Sequence, residues 1–129
     1  MPPGDGLTDA QRARLARAVA AADLATGLTF LVRVGSLDGG RAQAQAMVAA
    51  RGADAPGTVL VAVDPPARTL EIVTGSLAAR ALDDRTCALA SLTMTTSFAG
   101  GDLVGGLCRG IQVLADHGRA VALRHIDTV

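Results

Sequence analysis

The stretch GTVLVAVDPPARTLEIVTG, Gly57 to Gly75, constrains the fold more than any other part of the chain. Its first half, TVLVAV (Thr58 to Val63), is a continuous apolar run of strand length. It lacks the alternation of a strand with one wet face, so it is expected to be buried on both faces. A sheet built around such a strand needs helices on both sides. The second half, RTLEIVT (Arg68 to Thr74), alternates better and reads as the next strand. The link DPPAR suits a hairpin, with Asp favoured where a turn begins and Pro where φ must be near −65°. Asp64 stands where the first of these strands stops, and it either turns the chain or does chemistry.

The rest of the chain supplies the layers. TDAQ, Thr8 to Gln11, is a capping box, and Leu15, Ala18, Val19 and Ala22 follow at helical spacing. Arg12, Arg14 and Arg17 form a solvated face of that helix, and Gly27 ends it. LTFLVRVG (Leu28 to Gly35) reads as a strand, and the Ala-rich segment Arg41 to Arg51 as a second helix. GADAPG is a loop, and SLAARALDDR holds a short helical turn. Asp83 and Asp84 then open a helix running to Phe98; its small and apolar residues single out no buried face. Asp102 caps a last helix, in which Leu103, Leu107, Ile111 and Leu114 repeat at helical spacing and His117-Gly118 form the final turn. The expected architecture is one three-layer α/β domain, a small mixed sheet with helices on both faces, in the order α-β-α-β-β-α-α. Residues 1–6 are expected to be a flexible N-terminus, 7–118 the domain and 119–129 a tail.

Composition removes several function classes. Phe30 and Phe98 are the only aromatic residues, so the core is aliphatic and no stacking platform for bases or sugars exists. Twelve basic residues balance twelve acidic ones, which leaves no net field for nucleic acid or an anionic membrane. All the basic residues are Arg, and without Lys there is neither a P-loop nor a Schiff base. Cys87 and Cys108 fall inside predicted helices and are expected to pack as small apolar groups. The N-terminus lacks the pattern of a signal peptide and no apolar run approaches ~20 residues, so a cytoplasmic location without membrane insertion is expected.

Topology sorts the carboxylates. A right-handed β-α-β crossover makes the first two strands parallel, so Asp38 and Asp64 follow strand ends at one edge of the sheet. The third strand returns to the opposite edge, about 15–20 Å away at ~3.3 Å per residue. Asp83 and Asp84 begin there, and their helix climbs back to bring Phe98, Gly101 and Asp102 toward Asp64. Ligands of open α/β sheets favour the carboxyl ends of parallel strands. Asp38, Asp64 and Asp102 are therefore the candidate ligands for Ca²⁺ or Mg²⁺, with Asp64 also the candidate catalytic group and Arg68 a phosphate clamp. Against this, each carboxylate has a plainer role. Asp38 and Asp64 are turn formers, and Asp83, Asp84 and Asp102 are helix N-terminal acids; Arg68 can pair with Asp64. GGDLVGGLCRG does not have the order of a phosphate loop, and Gly105, Gly106 and Gly110 inside a helix cost ~1 kcal/mol each. That cost points to close backbone packing, against the sheet or a partner. His117 and His125 are too isolated to form a metal site.

Taken together, Thr26-Gly27 before an apolar strand, then GTVLVAVDPPARTLEIVTG, LDD and FAGGDLVGGLCRG resemble the TPM domain family. They are closer still to an actinobacterial family known as domain of unknown function 5130, with likeness from about Leu7 to His117. The resemblance implies a central mixed sheet flanked by helices. TPM relatives include acid phosphatases, calcium-binding proteins, modulators and assembly factors. Two functions follow as expectations. The favoured one is a non-catalytic module that binds an unknown protein partner or a second copy of itself. The alternative is a Ca²⁺/Mg²⁺-binding domain with acid-phosphatase-type activity, centred on Asp64.

Overall fold

The computed structural model describes residues 6–127, with side chains through residue 121. Thr8 closes the capping box expected of it: its side chain accepts from Gln11 N, and the Gln11 side chain accepts from Thr8 N. The helix that follows, α1 (Asp9–Thr26), buries Leu15 and Ala22, and Gly27 ends it at φ 74°. That is the left-handed conformation glycine adopts without a Cβ penalty.

Strand β1 (Thr29–Val34) leads through α2 (Gly40–Ala49) to β2 (Thr58–Asp64), parallel to it. A hairpin then returns β3 (Thr69–Thr74), antiparallel to β2. Among the described residues the sheet has three strands in the order β1-β2-β3. Every residue of β2 is buried, as its unbroken apolar run requires. A short helix, α3 (Ala78–Ala81), precedes α4 (Asp84–Ala99) and α5 (Leu103–Asp127).

Strand alternation divides the core in two. Phe30, Val59, Val61, Val63 and Ile72 point to one face, where α5 lies between α1 and α4. Leu60, Ala62 and Val73 point to the other, against Ala44 and Val48 of α2 and Leu37. Each fully buried valine of β2 contributes about 1.5–3 kcal/mol of hydrophobic stabilisation. The three-layer α/β architecture is thus present. On α4 the buried set is Thr86, Ala90 and Met94, spaced four apart, while Leu89 and Leu92 stay 56% and 64% exposed.

Gly106 and Gly110 of α5 sit at its crossing with α4, and Gly105 packs against the Asp102 carboxylate. A Cβ on Gly110 would collide with the Met94 side chain, and one on Gly106 would lie 2.7 Å from Ser97 Cβ and 2.9 Å from Phe98 Cε1. The close packing expected of them is therefore made within the chain.

Three details differ from the sequence reading. The loop GADAPG is a 3-10 segment, Gly52–Gly57, held partly by the Thr58 hydroxyl, which donates to Asp54 O at 2.7 Å. The last helix does not stop at His117-Gly118 but runs to Asp127, so the expected tail is helical as far as that residue. Gly118 serves packing, not termination, since a Cβ there would meet Thr26 Cγ2 at 3.0 Å. Residues 1–5 of the expected flexible N-terminus, and 128–129 of the expected tail, lie outside the described residues.

Candidate functional site

Asp64 closes β2 with the same parity as Leu60 and Ala62, so its side chain belongs to the α2 face of the sheet. There it is 7% exposed. Oδ2 accepts from Leu37 N at 2.9 Å and Oδ1, more distantly, from Ala67 N at 3.4 Å. One carboxylate thus ties the loop before α2 to the hairpin after β2. No bond joins it to Arg68, so the pairing expected across the turn is not made.

The other candidate acids are similarly committed. Asp38 is exposed, and its Oδ1 accepts from Ser36 Oγ at 2.9 Å. Asp83 caps α4, accepting from Thr86 N and Thr86 Oγ1 at 2.9 and 2.8 Å. Those two bonds, the backbone one first, hold its carboxyl below the ordinary aspartate value. Asp84 is an exposed acid in the first turn of α4. Asp102 accepts from Gly105 N at 3.0 Å and from Arg109 at 3.1 Å, and Arg109 also donates to Ser97 Oγ at 2.7 Å. The Arg109 hydrogen bond, followed by that of Gly105 N, draws the Asp102 carboxyl down.

The expected cluster of Asp38, Asp64 and Asp102 is therefore corrected. Asp64 faces the α2 layer, whereas Asp102 begins α5 on the opposite layer. Among the described residues no three His, Cys, Asp or Glu side chains form a group able to hold a metal ion. The cysteines are free thiols, and burial pushes both upward in pKa, as expected of packed rather than reactive groups.

On its other flank the same sheet edge does carry a cleft. The helix climbing from Asp83 returns Phe98 and Gly101 to the hairpin, as the topology predicted. Val63, Leu70, Phe98, Ala99 and Leu103 give the resulting space of about 430 Å³ an apolar wall. Pro65, Arg68, Thr69, Thr95 and Gly101 complete its lining. This size falls within the ~300–1,000 Å³ of ligand sites.

Arg68 is the only ionisable residue of that lining. Its side chain has no hydrogen-bond or ion-pair partner among the described residues. Its φ is 56°, and it is the only non-glycine residue with positive φ among them. The hairpin imposes this conformation. Arg68 N closes a β-turn on Pro65 O at 3.1 Å, and Arg68 must then reverse the chain into β3. Glycine or asparagine is usual at such a position, and an L residue with a long side chain is costly there. The signal was in the sequence: DPPAR contains no Gly or Asn for the left-handed position that a short hairpin needs.

A family profile described as Domain of unknown function (DUF5130) matches residues 5–115. The chain belongs to the DUF5130 family. The match spans the whole sheet and the cleft. Comparison with curated proteins returns no match. Among solved structures, the DUF5130 chain is similar to the N-terminal domain of the cg2496 protein of Corynebacterium glutamicum. The two share 14% identity and a TM-score of 0.74, over 89% of this chain and 76% of that one. It is also similar to the BA42 protein of the psychrophilic bacterium Bizionia argentinensis, with 16% identity and a TM-score of 0.72, over 90% and 83%. At these identities the likeness extends to the fold alone.

Proposed function

We propose that this DUF5130 domain is a non-catalytic protein-interaction module, docking a partner segment that carries an apolar side chain beside a carboxylate. The observation that carries this reading is Arg68, an uncommitted cation held in a costly conformation at the rim of an apolar cleft. Backbone strain retained at a concave site is characteristic of binding positions. The resemblance to TPM domains, some of which act as modulators or assembly factors, supports the same reading, and a cytoplasmic setting belongs to it. No helix among the described residues is long and apolar enough to cross a membrane. The acid-phosphatase alternative finds less support. Its central residue, Asp64, spends both oxygens on backbone amides.

The test uses acetyl-valyl-leucine as a probe, as the free acid and as the C-terminal amide, titrated into the protein and followed by amide NMR. The free acid is expected to shift the amides of Arg68, Thr69, Phe98 and Leu103. The amide is expected to bind about tenfold more weakly, the low end of the ~1.5–3 kcal/mol of a charge-assisted hydrogen bond, because Arg68 is exposed. Equal binding of both forms, or shifts confined to another surface, would overturn the assignment.

A further inference from the structure

The two edges of the sheet are guarded unequally. Backbone groups along a strand point alternately toward and away from the neighbouring strand. Gly35 N donates to Val63 O at 3.0 Å, continuing the ladder with β2. Phe30 N, of opposite parity, donates outside the ladder to Asp23 Oδ1 at 2.7 Å. Val32 and Val34 share the parity of Phe30, so their N–H groups also point off the sheet. No side chain among the described residues meets them. On the far edge, Ile72 O accepts from Arg41 at 3.2 Å, and Arg41 is itself anchored by Glu71 at 3.1 Å. That edge is blocked midway, whereas the guard of β1 reaches only its first outward amide.

We propose that the open half of β1 binds an extended, acidic segment of a partner protein as an added strand. Phe30 O, Val32 N, Val32 O and Val34 N present four backbone groups for pairing, the basis of strand-addition binding. The flanking side chains are of the right kind. Val32 and Val34 are only partly buried, while Val61 and Val63 beside them in β2 are at most 2% exposed. Arg33 lies between them, exposed and hydrogen-bonded to Ser36 O at 3.2 Å, with no carboxylate partner among the described residues.

Arg33 also decides between occupants. In a symmetric antiparallel pair centred on Arg33, Val32 of one copy would face Val34 of the other, and the two Arg33 side chains would stand directly opposite. Like charges in that position destabilise the pair. A register shifted toward the start of β1 needs Phe30 N, which Asp23 already occupies. A register shifted toward the end of β1 would instead have to pair Val32 with Ser36, beyond the strand. A different chain, with a carboxylate opposite Arg33 and apolar residues on either side, avoids these costs. This surface is independent of the cleft, which lies at the hairpin end beyond β2.

The test is an amide NMR titration with a capped heptapeptide of alternating threonine and valine bearing one central glutamate, and with its central-lysine counterpart. The glutamate peptide is expected to shift the amides of Phe30 to Gly35 and to slow hydrogen exchange at Val32 and Val34. The lysine peptide is expected to bind about two- to fivefold more weakly. Arg33→Glu, an exposed change whose fold the same spectra report, should reverse that preference. Arg68→Gln should leave it unchanged, so failure here is separable from failure of the cleft. The proposal is overturned if millimolar peptide leaves β1 unshifted, if the two peptides bind equally, or if the protein self-associates through β1 instead.

Discussion

Replacing Arg68 by glycine is expected to make the protein more stable and its cleft a weaker binder. An L residue in the left-handed region costs about 1–2 kcal/mol, and Arg68 at φ 56° bears that cost. Glycine removes it but loses about 0.5–1 kcal/mol more backbone entropy on folding. No side-chain hydrogen bond or ion pair is lost, because the Arg68 side chain makes none among the described residues, and glycine keeps the backbone bond to Pro65 O. The net gain is about 0.5–1 kcal/mol, or roughly 2–5 °C in Tm for a domain of this size. Urea unfolding should show a higher midpoint with an unchanged slope, the mark of a change in stability alone. Arg68→Asn, which tolerates the same backbone region, should move in the same direction. In both variants, binding of the free-acid dipeptide should fall about tenfold, for loss of a charge-assisted hydrogen bond. A lower Tm in both would mean instead that the arginine side chain stabilises the hairpin by more than its backbone costs.

Other positions give sharper structural tests. Gly75→Ala should cost several kcal/mol in chemical denaturation, because its Cβ would strike the carbonyl oxygens of Ala55 and Pro56; Gly57→Ala, with open space around it, should change stability by less than about 0.5 kcal/mol. Asp64→Ala should cost about 1.5–3 kcal/mol by orphaning Leu37 N–H, while calorimetry with Ca²⁺ or Mg²⁺ should not distinguish the variant from the parent. The carboxyls of Asp83 and Asp102 lie below their ordinary 3.8. A lowered folded-state pKa contributes stability above the unfolded value and loses it as pH falls through the folded one. Melting temperature should thus fall on acidification below about pH 4, and the double change to Asn, which keeps both caps but cannot titrate, should flatten that fall.

Much of the fold could be read from local chemistry. Thr8, Gly27, Asp83 and Asp102 each punctuate a helix through their own side chain or backbone freedom, and they do so here. The apolar run of β2 required cover on both faces and received it. What escaped depended on contacts distant in sequence. Asp38, Asp64 and Asp102 share one edge in a topological sketch. In the fold, alternation along β2 sends Val63 toward the cleft and Asp64 toward α2, where Leu37 N meets it. Gly118 looked like a helix end because glycine often is one. Its role is contact with Thr26, ninety-two positions earlier, which local sequence does not encode. The cleft was half legible: Phe98 and Gly101 were expected at that edge and Arg68 was a candidate clamp, but the lack of any partner for its side chain follows only from the folded hairpin.

Arg68 is kept for a carboxylate partner at the cleft. The most direct measurement is the calorimetric Kd of acetyl-valyl-leucine free acid for the parent protein and for Arg68→Gln, at matched ionic strength. The parent is expected to bind and the variant to bind about tenfold more weakly, with the difference shrinking as salt rises. Equal affinity in the two proteins would contradict that role and leave Arg68 as a residue of the turn alone.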